Sequence, residues 1–369
     1  MKKIIILGGG FCGALAAKKL NVLPDFQVIL IDKKNYFEYT PSIHRIIFDS
    51  KYHKKIIVPF KNFLKRTRIV TDKLLEVTEK HVKTAKETLN FDYLIVCTGI
   101  DYPVFLENKT NVYTLKSGSE ATRIGKYICK SKNLLIVGGG LVGTEITGEL
   151  ITKAPKVNVT LVHPKERLLE RNPVKASTYA ENFLKAHNVK IIFGERVKKH
   201  KGKKTYLTDK GKKIVADTAL WCAGIRYNPW FMKNKEKFCD ERSALKVNNY
   251  LQLEGTKNIF VGGDINNVKE EKTAQNAERH AHTIVRNILC LERKETLKKY
   301  IPKSAPLVIS LGDHNAILTL PNKKVITGRL PALIKHAIEK LVLSEYKTSI
   351  ITPISKVFAK MVDLFAKKS

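Results

Sequence analysis

Two stretches of the chain change character in the same order. Ile4 to Leu7 is an unbroken apolar run of the kind buried on both faces of a parallel sheet, Phe11 to Leu20 shifts to helical spacing, and residues 26–32 (FQVILID) read again as a strand. The order recurs downstream: a strand over Leu134 to Val137, a helix from Leu141 to Lys153 that ends before Pro155, and a strand over 157–163 (VNVTLVH). Each is the pattern of a βαβ unit. They start about 130 residues apart, far beyond the roughly 20 to 50 residues of a solenoid repeat, so two nucleotide-binding domains are expected.

The segments between and after these units also come in pairs. Residues 87–103 (ETLNFDYLIVCTGIDYP) give a polar lead and a buried strand ending in Thr-Gly, and residues 213–229 (KIVADTALWCAGIRYNP) repeat that shape. Residues 253–265 hold a strand that ends in Gly-Gly-Asp, and 273–289 read as a helix with apolar positions at 277, 281, 284, 285 and 288. After Pro302 two antiparallel strands (PLVISLG, NAILTLP) are expected, then two helices. The fold class is therefore α/β with two Rossmann-like domains, the second inserted in the first, plus a C-terminal antiparallel-strand and helix region. The expected boundaries are 1–105 with 225–302, 106–224, and 303–369.

Glycines give the pattern its chemistry. Gly8, Gly10 and Gly13 follow the first strand and open the first helix, where free N–H groups and the helix dipole suit a pyrophosphate. Asp32, nineteen residues past Gly13, stands where a carboxylate takes the ribose hydroxyls. Gly138, Gly140 and Gly143 form an equal fingerprint, but its strand ends in His163, followed by Lys165 and Arg167. A neutral or cationic strand end does not repel a 2′-phosphate, which leaves NADPH as open as NADH.

Composition narrows the setting. The 369 residues carry 67 Lys and Arg against 34 Asp and Glu, a formal charge of +33 that favours anionic partners without naming one. The six cysteines contain no CxxC pair, which points to a reduced interior and away from dithiol or zinc chemistry. Cys12 and Cys97 read as small buried fillers. His280 and His282, two apart on a helix, do not face one another, so no metal site is expected. No apolar run reaches the roughly 18 residues of a spanning helix.

With IDKKNYFEYTP, IVGGGLVGTEITGEL, LWCAGIRYNP and TAQNAERHA in place, the chain resembles the two-dinucleotide-binding flavoproteins, in particular type II NADH dehydrogenases and ferroptosis-suppressor and apoptosis-inducing-factor-like proteins, over roughly residues 1 to 345. The resemblance implies non-covalent FAD on the first fingerprint, with Gly8, Gly10, Phe11, Cys12, Gly13, Asp32, Lys33, Thr40, Thr98, Gly99 and Asp264 around it. Thr273, Ala274 and Gln275 would open a helix toward the flavin pyrimidine ring. It places NADH or NADPH on Gly138, Gly140, Leu141, Val142 and Gly143, with Glu145 on the nicotinamide carboxamide and Gly224, His163 and Arg167 nearby. No conventional acid or base is implied; Pro41, Gln275 and Glu145 orient the rings.

The quinone-reducing family shows AQxAxQ near the flavin, whereas residues 274–279 read Ala-Gln-Asn-Ala-Glu-Arg. Arg279 and Arg45 are thus candidate substrate contacts. Residues 352–369 (TPISKVFAKMVDLFAKKS) and 330–343 have the apolar face and lysine face of helices lying on an anionic membrane surface, and packing of the two helices on the core or on a partner in a homodimer is the other reading of them.

The expected function is an FAD enzyme that oxidises NAD(P)H and passes electrons to a quinone without pumping protons, peripheral to the membrane on its cytoplasmic face. The alternative is a soluble reductase or NAD(P)H oxidase that passes them to a protein or to oxygen. A nucleic-acid-binding role ranks last, because the basic loop of Lys198, Lys199, Lys201, Lys203 and Lys204 has no aromatic stacking platform.

Overall fold

A computed structural model describes residues 1–347. The second of the two C-terminal helices, expected over 352–369, lies outside the described residues. Two five-stranded parallel sheets have the same plan. In the first, Lys2–Leu7 is central, with Phe26–Asp32 and then Arg68–Thr71 on one side and Tyr93–Val96 and Ile259–Val261 on the other. In the second, Asn133–Val137 is central, flanked by Asn158–His163 and Lys190–Phe193 and by Thr218–Trp221 and Val112–Tyr113. Helices cover one face of each sheet and strand residues such as Leu74, Val82, Val197 and Tyr206 cover the other, so the central runs are buried on both sides and need no polar alternation.

Because Ile259–Val261 pairs with Tyr93–Val96, the chain leaves the first sheet, builds the second and returns. Each half also carries a three-stranded antiparallel meander, at 74–90 and at 197–215. The second corrects the sequence reading. Lys198, Lys199 and Lys201 lie on the strand Val197–Lys201, with Lys203 and Lys204 in its turn. The run of charge hid a strand held by inward residues, with His200 stacked on the buried Tyr206 at 4.1 Å.

Close approach explains the third glycine of each fingerprint. A Cβ on Gly13 would lie 1.8 Å from Gly8 O, and one on Gly143 equally close to Gly138 O, so only glycine lets helix and strand pack there.

The C-terminal part has three antiparallel strands rather than two: Leu307–Ser310, Ala316–Thr319 and Val325–Gly328. The last was missed because four residues after a polar turn carry little periodic signal. The helix Arg329–Lys347, hereafter the terminal helix, reaches back to the first half. Tyr346 stacks on Phe37 at 4.0 Å and meets Phe63 edge-on at 5.2 Å, while Lys18 donates to Glu345 O.

Candidate functional site

The first cradle is tied to its strand end by one short bond: Gly9 N–H donates to Asp32 Oδ2 at 2.6 Å, and Lys34 N–H donates to Oδ1 at 2.8 Å. Gly10 begins the helix Phe11–Asn21 and has no side chain to cap it, so the first N–H groups of the helix remain for a ligand. Nothing lies within 4 Å of where a Gly10 Cβ would stand.

A cavity of about 1340 Å³ opens there, lined by Gly8, Gly10, Phe11, Cys12, Asp32, Lys33, Thr40, Pro41, Thr98, Gly99, Asp264, Thr273, Ala274 and Gln275. It exceeds the roughly 300 to 1,000 Å³ of pockets for drug-sized ligands, as a dinucleotide requires. Thr98 Oγ1 is buried without a hydrogen-bond partner, a vacancy a ligand phosphate can fill. Burial raises the Asp264 carboxyl pKa, with Lys272 and His280 pulling it back. Thr273 caps the helix Ala274–Glu292 by accepting the Asn276 N–H at 3.3 Å, so the positive end of that helix faces the cavity. These residues fit FAD.

The second cradle repeats the first. Gly140 has φ −75° and ψ −167° where Gly10 has −76° and −165°. Gly139 N–H donates to His163 Nδ1 at 3.0 Å, the bond that Asp32 accepts in the first half. His163 is buried, which lowers its pKa, and Glu170 opposes that shift. Arg167 does not stand free for a phosphate. Its terminal nitrogens donate to Glu170 O at 2.6 Å, to Asn172 O at 3.0 Å and to Ser177 Oγ, binding the loop together. Gly224 adopts φ +79° with the exposed Phe105 over it.

Glu145, with Leu141 and Val142 in the first turns of the second fingerprint helix, lines the central cavity. It accepts the Ser310 N–H at 3.0 Å and is ion-paired with Lys335. The sequence reading missed Lys335. Its signal was a cation on the buried side of the terminal helix, beside Ala332 and Ile334.

The two candidate substrate arginines lie outside the cavity wall. Arg45 is buried against the terminal helix, bonded to Tyr52 Oη at 2.8 Å and His336 Nδ1 at 3.1 Å, and 3.7 Å from Glu339. Glu339 in turn accepts from Ser42 and Tyr52. Arg279 donates to Lys303 O at 2.6 Å and Asn276 Oδ1 at 3.1 Å, fastening the 302–306 segment that lines the cavity.

Cys12 and Cys97 are buried, and burial holds the Cys12 thiol well above its usual range. Cys222 is pushed up to about 12 by the same cause. The Cys12 and Cys222 thiols therefore stay protonated, and all three side chains fill space. Among the described residues no group of His, Cys, Asp and Glu could hold a metal ion, and no helix is long and apolar enough to cross a membrane.

Comparison with known proteins agrees with this geometry. The family model described as pyridine nucleotide-disulphide oxidoreductase matches residues 2–281. Apoptosis-inducing factor homolog A of Dictyostelium discoideum is 30% identical over 344 residues, 84% of this chain and 82% of its own. The type II NADH:quinone oxidoreductase of Staphylococcus haemolyticus is 23% identical over 381 residues, 92% and 94% of the two chains. NDH2 from Plasmodium falciparum, solved with NADH, shares the fold with a TM-score of 0.82 at 17% identity, over 100% of this chain and 98% of that one.

Proposed function

From the premise that the chain belongs to the pyridine nucleotide-disulphide oxidoreductase family, and is an FAD- and NAD(P)H-dependent enzyme, we propose that it carries electrons from the nicotinamide dinucleotide to a quinone. One observation carries the choice of acceptor. The cavity that holds the flavin-side residues continues into a wall of Pro306, Leu307, Val308, Ile309, Ile338 and Val342, an apolar arm suited to a lipid-soluble acceptor. The name of the Staphylococcus relative supports the same acceptor.

In this reading residues 1–105 with 225–302 hold FAD, 106–224 hold the donor, and 303–369 form the acceptor and membrane side. FAD held by these residues would supply the hydride acceptor for nicotinamide and the electron donor for a second acceptor. The chain's own work is placement. The N–H groups at Gly10 and Phe11 and the dipole of the first helix bind pyrophosphate, and Asp32 takes ribose hydroxyls. The N-terminus of Ala274–Glu292 sets positive potential beside Gln275, where negative charge on the cofactor is favoured. Glu145 orients the carboxamide and is itself held by Lys335. Pro41 and Thr40 line the same cavity.

The terminal helix turns Leu330, Leu333 and Leu341 outward together with Lys340 and Lys347, a pattern that supports attachment to an anionic membrane surface on the cytoplasmic side. The purified protein is expected to be yellow, to bleach with NADH or NADPH under anaerobic conditions, and to regain its colour with a soluble quinone analogue. A bound flavin that no nicotinamide dinucleotide reduces, or a reduced one that quinone does not reoxidise, would refute the proposal. Leu333→Glu and deletion of 352–369 should each weaken sedimentation with anionic liposomes; unchanged sedimentation would remove the membrane part alone.

A further inference from the structure

The two cradles differ at the residue that closes them, and that difference selects between donors. In the first, Asp32 both receives the glycine N–H and brings a carboxylate to the ribose. In the second, His163 receives the N–H on Nδ1, so the neutral ring carries its proton on Nε2. No carboxylate stands at the strand end.

One is supplied from elsewhere. Glu170 Oε2 lies 3.3 Å from His163 Nε2, with the Glu170 side chain 31% exposed against 6% for His163. The imidazole is therefore inside and the carboxylate at the rim. Nε2 is buried, and the Glu170 carboxylate is the group beside it, so the ring steadies that carboxylate at the rim. Together they offer what Asp32 offers alone in the first half.

The position of Glu170 is built rather than incidental. The residue before it, Leu169, donates its N–H to Gly139 O at 2.9 Å, which ties the loop to the cradle. Leu169 does so with φ +50°, a left-handed conformation that a branched side chain adopts only when its surroundings impose it. Arg167 holds Glu170 from the other side through its carbonyl. Its donors are spent on the loop, so the cation that would welcome a 2′-phosphate is engaged, and the group at the rim beside the strand end is a carboxylate.

We infer that Glu170 is the donor-specificity residue, accepting from the adenosine 2′-hydroxyl of NADH and repelling the 2′-phosphate of NADPH. The inference rests on the proposed donor role of the second cradle but not on the identity of the acceptor. It is tested in the half-reaction, by anaerobic stopped-flow bleaching of the flavin with NADH and with NADPH.

The native enzyme should prefer NADH by at least about 10-fold in apparent affinity, and Glu170→Gln should narrow that ratio by about 10-fold, chiefly by improving NADPH. The isosteric amide keeps the shape, and a ratio within one preparation is insensitive to partial misfolding. Equal use of both donors by the native enzyme, or an unchanged ratio in Glu170→Gln, would overturn the inference while leaving the reductase intact. A loss of NADPH use in Lys165→Ala with no response at Glu170 would overturn it in favour of the exposed lysine. Bleaching by neither nucleotide in any protein would instead bring down the donor reading on which it rests.

Discussion

Lys335 and Glu145 lie 190 residues apart and meet as an ion pair at the wall of the cavity. The pair joins the terminal helix to the helix of the second fingerprint. Removing the cation leaves a largely buried carboxylate with only the Ser310 N–H, free to turn from the nicotinamide. Lys335→Ala should retain flavin yet lose about 10-fold or more in kcat/KM for the dinucleotide. The exchange Glu145→Lys with Lys335→Glu should recover part of the folding loss and little of the activity. Steady-state kinetics with flavin content measured alongside would check this.

Gly10 separates binding from folding. A methyl group there meets no protein atom within 4 Å, and its backbone at φ −76° is open to alanine. Gly10→Ala should leave the flavin-free protein as stable as before, or firmer by up to about 1 kcal/mol, while FAD affinity falls at least about 10-fold. Gly13→Ala should fail at both, since its Cβ would strike Gly8 O. Denaturant titration of the flavin-free forms and fluorescence titration with FAD distinguish the two.

Arg45 is expected to report on stability. Its guanidinium is bonded to Tyr52 and His336 and lies beside Glu339 in a buried cluster. Arg45→Ala should cost roughly 3 kcal/mol by stranding the Glu339 carboxylate, with KM for quinone nearly unchanged in the fraction that folds. A raised quinone KM with native stability would return Arg45 to the acceptor site.

Glu278 should give the fold a pH dependence. Burial, aided by Glu345, raises its pKa to about 8. The native state then holds a proton that the unfolded chain, near 4.3, has released, so stability contributed by this group is lost as pH rises from about 4 to about 8. Glu278→Gln should remove that slope. Thermal melts of both proteins from pH 5 to pH 9 should show the variant gaining on the native form as pH increases.

The βαβ units, both fingerprints and the Thr-Gly and Gly-Gly-Asp turns were legible because each is local: an apolar run, a glycine spacing, a strand end. What the sequence could not yield is the pairing of distant residues. Arg45 and Arg279 looked like candidates for a substrate because nothing in the chain announces Glu339 or Lys303 O as their partners. Lys335 was hidden for the same reason. Glu170 sits in a polar loop without periodicity, and only its approach to His163 Nε2, with Leu169 tied to Gly139, shows where its carboxylate comes to rest.

The terminal helix grips the flavin half through Tyr346 and Arg45 and the donor half through Lys335. A strap of this kind opposes hinge motion between the two Rossmann halves. The parts left outside its grip are at the rim, where Phe105 is exposed and Glu170 partly so, and exchange of spent dinucleotide is expected to ask for movement of those loops rather than of the two halves.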